Sequence, residues 1–287
     1  MTNIMENEGG LRTIGLKKET TSNLKLITIV TVVYNNVFSI EETIKSIINQ
    51  TYKNFEYIII DGGSTDGTVD IIKKYRAKID YWISEKDSGL YYAMNKGLEL
   101  ANGDWINFMN SGDCFSTNTI IEDIFTNKFE SGVIYGDVNF SFDGKHEVYV
   151  KAQSLKYMWK GMQFVHQTAF VSTNIMRKFP FDTKYRLIAD YNSIYQIYLS
   201  GAEFHYANYP VCNFLAGGLS DNNPKSILEC QKMIFAIHKQ VHIRLYYYYR
   251  FVQCTFRYNL AKILGQSNYA ILRRIKNRLI MGFSMHN

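Results

Sequence analysis

Proline and cysteine are scarce in this chain, acids disappear after Glu229, and no apolar run approaches the ~18 residues of a membrane-spanning helix. Each shortage excludes something. Three prolines beside 22 tyrosines and 15% aromatic residues are not the composition of a disordered chain. The four cysteines, Cys114, Cys212, Cys230 and Cys254, stand far apart with no C-x-x-C pair. Neither a zinc site nor a disulfide framework is indicated, and a reduced, cytosolic protein that does not cross a membrane is expected. No G-x-G-x-x-G follows the first apolar run, where "YNNVFS" stands instead, which argues against a nicotinamide oxidoreductase.

What is present reads as globular: 287 residues, 46% hydrophobic and 20% charged. The net charge of +6 hides an asymmetry, since residues 1–229 carry 22 basic and 26 acidic groups while the remainder carries ten basic groups and no acid. Residues 1–24 mix acids and bases without an apolar core. They are expected to form a flexible leader, not a signal peptide.

From Leu26 onward, β-branched runs alternate with amphipathic helices. "LITIVTVVY" (26–34) predicts a buried parallel strand, and "SIEETIKSIINQ" (39–50) a helix with Ser39 as N-cap above Glu42. A strand at 55–61, a helix at 66–76 capped by Asp66, a strand at 81–84, a helix at 88–104 closed by Asn102-Gly103 and a strand from 105 complete four β-α units. That order predicts an open α/β sheet with right-handed crossovers. Trp82 and Trp105 are expected in its core. Beyond residue 130 the pattern predicts a hairpin, 132–142 with 146–150 about Asp143-Gly144, and strands at 164–172 and 202–211. A helix opens at Asp190, for which an N-cap role competes with a chemical one. Asp137 fits the site or a turn equally well.

In an open α/β sheet the ligand lies beyond the carboxyl ends of the strands. Tyr34-Asn35-Asn36, Asp61, Glu85-Lys86-Asp87 and Asp113 all fall at that edge. Gly62 and Gly63 let a backbone approach closely, and an acid there can accept N–H donors from a base.

The stretches "ITIVTVVYNN", "IIIDGGSTDGT", "SEKDSGLYYAMNKG", "GDWINFMNSGD", "HQTAF" and "IADYN", in this order over residues 26–222, resemble the inverting family 2 glycosyltransferases of GT-A fold, in the flavour of bacterial exopolysaccharide, O-antigen and colanic-acid enzymes. The resemblance implies a Rossmann-like open mixed sheet flanked by helices over 25–222, with a nucleotide-sugar donor, most often a UDP-sugar, and a glycan or lipid-linked saccharide acceptor. It implies a nucleotide site of Val33, Tyr34, Asp61, Gly63, Lys86, Asp87 and Asn110. It implies a divalent cation, Mn2+ or Mg2+, at Asp113, where the family's Asp-x-Asp has shrunk to Asn110-Ser111-Gly112-Asp113. His166 is a second metal ligand, an acceptor contact or simply a hydrogen-bonded strand histidine. Asp190 aligns with the family's catalytic base. Gly218 and Ser220, in "AGGLS", either close over the diphosphate or acceptor, or connect to the tail.

The tail, 223–287, is expected to be helical, opening at Asn223-Pro224. Along 243–264 Leu245, Tyr249, Val252, Phe256, Leu260 and Ile263 form one stripe flanked by Arg244, Arg250, Arg257 and Lys262, and Arg273, Arg274, Lys276 and Arg278 follow. An apolar stripe bordered by cations suits an anionic membrane surface. Packing on the catalytic domain or a homo-oligomer contact would use the same face. A nucleic-acid partner is not expected, because no recognised nucleic-acid motif accompanies the charge.

Overall fold

The computed structural model describes residues 7–19, 24–127, 129–141, 147–215 and 223–264. The chain divides into two compact units, Met1–Gly217 and Gly218–Asn287.

In the first unit the described strands form one mixed sheet. Its parallel half is β2 (Ile27–Val33), β3 (Phe55–Asp61), β4 (Tyr81–Ser84) and β5 (Trp105–Phe108), ordered β4-β3-β2-β5. The chain moves outward from β2 to β4 and then returns to β2's other side, so the strand order reverses there. β2 and β3 are buried at every position, because helices cover both faces. α1 (Ile40–Ile48) inserts Ile40, Ile44 and Ile47, and α2 (Thr68–Lys74) inserts Ile72. α3 (Leu90–Leu100) lies so close to β2 that a Cβ on Gly97 would stand 2.4 Å from Val30 Cγ1. Trp82 and Trp105 are core residues, each 1% exposed.

The other half runs β5-β9-β7-β10-β6, with β6 at Cys114–Phe115, β7 at Val133–Ser141, β9 at Ala169–Ser172 and β10 at Phe204–Leu215. β8 (Glu147–Val150) pairs antiparallel with the second half of β7, as the expected hairpin requires; its turn, 142–146, lies outside the described residues. β9 is antiparallel to β5 and to β7, which brings the residues just before β9 to the carboxyl end of β5. β10 shifts register around Pro210, the residue without an N–H for the ladder. Three helices complete the unit: α4 (Ile120–Phe125), α5 (Thr173–Lys178) and α6 (Ala189–Leu199).

Several local expectations are corrected. Ser39 occupies the cap position of α1 as expected, but its side chain makes no cap bond; Asn36 O accepts Ser39 N and Ile40 N, at 3.3 and 3.1 Å. Gly67 is the cap residue of α2; Asp66 acts one position earlier, accepting Val37 N and Thr68 N at 3.0 Å each. α3 ends at Leu100, and Gly103 serves close approach instead of a left-handed cap, since a Cβ there would meet Thr28 N at 2.6 Å. Residues 166–168 form a 3-10 turn instead of continuing the strand, since Val165 O takes both the N–H and the hydroxyl of Thr168, at 3.0 and 2.9 Å. Asp137 is not in a turn. It is buried within β7 and accepts from Tyr149 Oη, Tyr206 Oη at 2.7 Å and Ala152 N at 2.8 Å, tying β8 and β10 to β7.

The larger correction concerns the leader. Residues 7–19 belong to the folded unit: β1 (Glu8–Gly9) pairs antiparallel with β4. Leu11 N and Arg12 N donate to Ile79 O and Asp80 O, at 3.0 and 2.8 Å. Arg12 pairs with Glu56, itself 1% exposed, and Lys18 Nζ with Asp80 Oδ2 at 3.0 Å. Two buried carboxylates of the sheet thus draw their counter-charges from this segment, which a charge-mixed composition conceals.

The second unit is a helix pair, α7 (Pro224–Ile237) and α8 (Val241–Leu264). Asn223 caps α7 as expected, its Oδ1 accepting Lys225 N at 3.0 Å. The helices meet through Phe235 and Tyr247, ring centroids 6.1 Å apart and edge-on. On α8, Ile243 and Tyr247 are buried, while Leu245, Tyr249, Val252, Phe256 and Ile263 are all more than half exposed. The stripe read from the sequence is exposed, with Leu260 half-buried. Among the described residues no helix is long and apolar enough to cross a membrane.

Candidate active site

Strand register assembles the first part of the site. Val33 pairs with Asp61 and Asp61 with Ser84, so three strands end at one level. Asp61 is completely buried. Its carboxylate accepts Gly63 N at 3.0 Å, Ser64 N at 2.8 Å, Ser64 Oγ at 2.5 Å and Ser84 Oγ at 2.6 Å. These four donors all come from the chain, so Asp61 shapes the loop that frames the rim. Gly63 holds a φ of +82° with its Cβ position 3.2 Å from Lys86 N, and both conditions favour glycine. A Cβ on Gly62 would stand 2.9 Å from Asp87 Oδ2 and 3.3 Å from Tyr34 Cδ2. Tyr34, Gly62, Gly63, Lys86 and Asp87 are therefore neighbours, with Tyr34 66% exposed and available as a flat wall.

Asn36 joins this group to the second: its Nδ2 donates to Ser111 Oγ at 3.0 Å, in the loop that follows β5. There Asp113, 6% exposed, accepts Gln167 Nε2 at 2.7 Å and Leu215 N at 3.3 Å. Burial is the main cause that pushes its carboxyl up to about 6; Gln167, His166 and the Leu215 N–H oppose it only in part. One residue before Gln167, His166 Nδ1 lies 3.0 Å from Asp190 Oδ2, and its Nε2 lies 3.1 Å from Asn110 Nδ2. The tautomer that satisfies both neighbours carries its proton on Nδ1 and accepts at Nε2.

Asp190 is the second residue of α6, whose cap position is Ile188, and its side chain does not cap the helix. Its other oxygen accepts Tyr91 Oη at 2.8 Å. Burial alone would raise its pKa, but the hydrogen bonds donated by His166 and by the Tyr91 hydroxyl outweigh it and hold the carboxyl below the ordinary range. The Asp190 side chain is 22% exposed, so an ionised carboxylate reaches the surface at this rim. Burial first, and then the Asp190 charge, pushes the Tyr91 hydroxyl far above an ordinary phenol. Tyr91 stays a proton donor to the carboxylate.

Tyr91, Gln167, Ser64 and Ser84 escaped the sequence reading. Tyr91 and Gln167 lie inside the quoted stretches "SGLYYAMNKG" and "HQTAF", but nothing in their spacing announces partners 99 and 54 residues away. Gly218 and Ser220 lie outside the described residues.

Among the described residues no three His, Cys, Asp or Glu side chains gather as a metal cluster. The oxygen chemistry around Asp113 nevertheless fits a hard cation. Asn110 Oδ1 and Gln167 Oε1 are buried acceptors without a hydrogen-bond donor among the described residues, and Gln167 is bonded to the buried Asp113 carboxylate. Magnesium takes one or two protein carboxylates and completes its shell with water and substrate phosphate.

The family model described as Glycosyl transferase family 2 matches residues 28–186, more than half of the chain. The chain is 30% identical over 171 residues to an uncharacterized glycosyltransferase of Mycobacterium tuberculosis H37Rv, covering 57% of this chain and 65% of that protein. It is 31% identical over 159 residues to the PGL/p-HBAD biosynthesis glycosyltransferase of Mycobacterium bovis BCG, covering 51% and 59%. The chain thus spans less than two thirds of the length of these curated relatives. Among solved structures it resembles S. aureus TarS 1–349 in complex with UDP, with a TM-score of 0.59, 18% identity and coverage of 78% and 70%. It also resembles the mannosyltransferase PcManGT from Pyrobaculum calidifontis in complex with GDP-Man and Mn2+, with a TM-score of 0.60, 15% identity and coverage of 94% and 85%. At those identities the structural likeness is one of fold, the GT-A arrangement of a mixed open sheet between helices. With that model matched over residues 28–186, the chain belongs to glycosyl transferase family 2.

Proposed function

We propose that the protein transfers a sugar, with inversion, from a nucleotide-diphosphate donor to a hydroxyl of a glycan or lipid-linked saccharide in cell-surface polysaccharide synthesis, and that the donor is a UDP-sugar. The observation that carries the reading is Asp190, an ionised and partly exposed carboxylate held by His166 and Tyr91 and joined through the His166-Gln167 turn to Asp113. Asp190 takes the proton of the acceptor hydroxyl as that oxygen bonds to the anomeric carbon. The bond from that carbon to the diphosphate breaks on the opposite face, and the nucleoside diphosphate leaves with the electron pair.

Tyr34 offers its face to the base, while Gly62, Gly63, Lys86 and Asp87 border the ribose and phosphates. Asp113, with the free oxygens of Asn110 and Gln167, would hold Mn2+ or Mg2+, which when bound offsets the charge of the diphosphate. Support for the donor class comes from the UDP and GDP-Man bound by the two structural neighbours. Support for the acceptor class comes from the biosynthetic role in the mycobacterial relative's name.

The exposed face of α8 is the second element of the reading. Its apolar residues, flanked by exposed Arg244, Arg250, Arg257 and Lys262, suit peripheral attachment to anionic lipid at the inner face of the cell membrane. A homo-oligomer contact would cover the same face.

The test is a screen of nucleotide sugars for hydrolysis and transfer by the purified protein, with and without Mn2+. Asp190→Asn is expected to lower transfer by about 100-fold or more while UDP and Mn2+ still raise its melting temperature. Near-full transfer by that variant removes Asp190 as the base.

A further inference from the structure

His166 and Gln167 are consecutive residues of one 3-10 turn, His166–Thr168, and each holds a different carboxylate: His166 Nδ1 meets Asp190 at 3.0 Å and Gln167 Nε2 meets Asp113 at 2.7 Å. In an extended strand adjacent side chains leave on opposite faces. In a 3-10 turn, with three residues per turn, they diverge by about 120°, so two neighbours reach two sites on the same side of the sheet. This separation depends on the turn that replaces the expected start of the strand.

The turn itself is fastened on every side. Asn107 of β5, completely buried, donates through Nδ2 to Gln167 O and Ala169 O, both at 2.9 Å. Thr168 closes the turn on Val165 O, and Asn110 meets the outer nitrogen of His166 at 3.1 Å. Gln167 is 3% exposed, and its amide is oriented by Asp113, leaving Oε1 without a donor. A side chain this buried, bonded at one end and unpartnered at the other, is poorly explained by packing alone.

We infer that the His166-Gln167 turn is the gauge of the enzyme: it fixes the proton-accepting carboxylate Asp190 at a set distance from the phosphate-side carboxylate Asp113. His166 is a positioning residue acting through Asp190, while Gln167 positions Asp113 through Nε2 and offers its own Oε1 to the cation. The inference rests on the proposed roles of Asp190 and Asp113, and the two side chains divide the work. Gln167 governs how firmly cation and nucleotide are held, and His166 governs turnover once they are in place.

The experiment uses the full chain and four variants, His166→Phe, His166→Asn, Gln167→Leu and the double variant, each with its melting temperature measured. Mn2+ affinity in the presence of UDP is read by electron paramagnetic resonance, and turnover is read with UDP-glucose, UDP-galactose and UDP-N-acetylglucosamine. Gln167→Leu is expected to weaken Mn2+ by about 10–100-fold, the usual loss when a partner of a metal carboxylate is removed. His166→Phe is expected to lower kcat at least about tenfold and to leave donor KM unchanged, and to weaken Mn2+ much less than Gln167→Leu does, since it frees only the outer end of the Asn110 amide. His166→Asn, which keeps a donor for Asp190, recovers part of that loss.

If both single variants shift both readouts alike, in step with a lower melting temperature, the turn is a structural feature and the inference is wrong. If neither shifts anything while Asp190→Asn and Asp113→Asn are inactive, the inference again fails but the proposed function stands. If those two carboxamide variants transfer sugar normally, the proposed function fails with it.

Discussion

Replacing Asp113 with Asn should make the ligand-free protein more stable while depriving it of cation binding. The carboxyl is 6% exposed, and burial, only partly opposed by Gln167, His166 and Leu215 N, pushes it up to about 6 from an ordinary 3.8. Keeping the ionised form there at neutral pH costs about 3 kcal/mol. Asparagine removes the charge and that cost. The unpartnered Oε1 of Gln167 can accept from the new amide once the Gln167 amide turns over, which exchanges a charged hydrogen bond for a neutral one at a loss of about 1 kcal/mol. The net gain of about 1–2 kcal/mol corresponds to a rise in Tm of roughly 3–6 °C for a domain of this size.

The sign has a pH signature. The native state keeps this proton to higher pH than the unfolded chain, so stability supplied by the protonated form is lost as pH rises from about 4 to about 6. The charge cost removed by Asp113→Asn is full at about pH 7.5 and about half as large near pH 5, so the variant's net advantage should shrink by more than half between the two. Calorimetric melting at the two pH values, each with and without UDP and Mn2+, checks both parts. A variant less stable than the parent at about pH 7.5, or equally advantaged at both values, refutes the buried-charge reasoning.

Three further outcomes are expected. Arg12→Met leaves Glu56 buried against only Thr28 Oγ1 and the Asn102 amide groups, and should cost about 3 kcal/mol in urea unfolding, the usual penalty for removing one partner of a buried pair; an unchanged midpoint would show that the N-terminal segment is not part of the cooperative unit. Asp137→Leu strands the Tyr206 hydroxyl and Ala152 N and should destabilise by about 2 kcal/mol, without altering the affinity for UDP and Mn2+. Full-length protein should float with anionic liposomes and lose that property in about 0.5 M salt; equal flotation after Leu245, Val252 and Phe256 are changed to Ser would exclude the exposed face of α8.

In the parallel half of the sheet β2 and β3 were legible almost to the residue, because strands buried at every position write themselves as apolar, β-branched runs. "FEYIIID" is one such run, and its observed bounds are the expected ones. What was illegible shares one cause: partners distant in sequence. Arg12 and Lys18 read as solvated charges until Glu56 and Asp80 are placed beneath them. Asp137 read equally well as a site acid or a turn acid because its phenol partners come from β8 and β10. The apolar letters around "HQTAF" spell a strand, and bonds from the Thr168 N–H and hydroxyl to Val165 O, with Asn107 from β5, hold the first three residues in a turn. At the site, the family pattern marked the acids but not the neutral side chains that aim them, since an amide or phenol has no signature until its acceptor is known.

The short β1 segment along β4 carries one more consequence. A sheet border is a row of unpaired peptide groups able to recruit strands from other molecules. Here the last two-residue strand, Glu8–Gly9, turns at Gly10 and folds down onto Ile79 and Asp80. Whatever else that segment does, it leaves a border too short to nucleate intermolecular ladders, so its removal should show itself as clumping during concentration before it shows itself in catalysis.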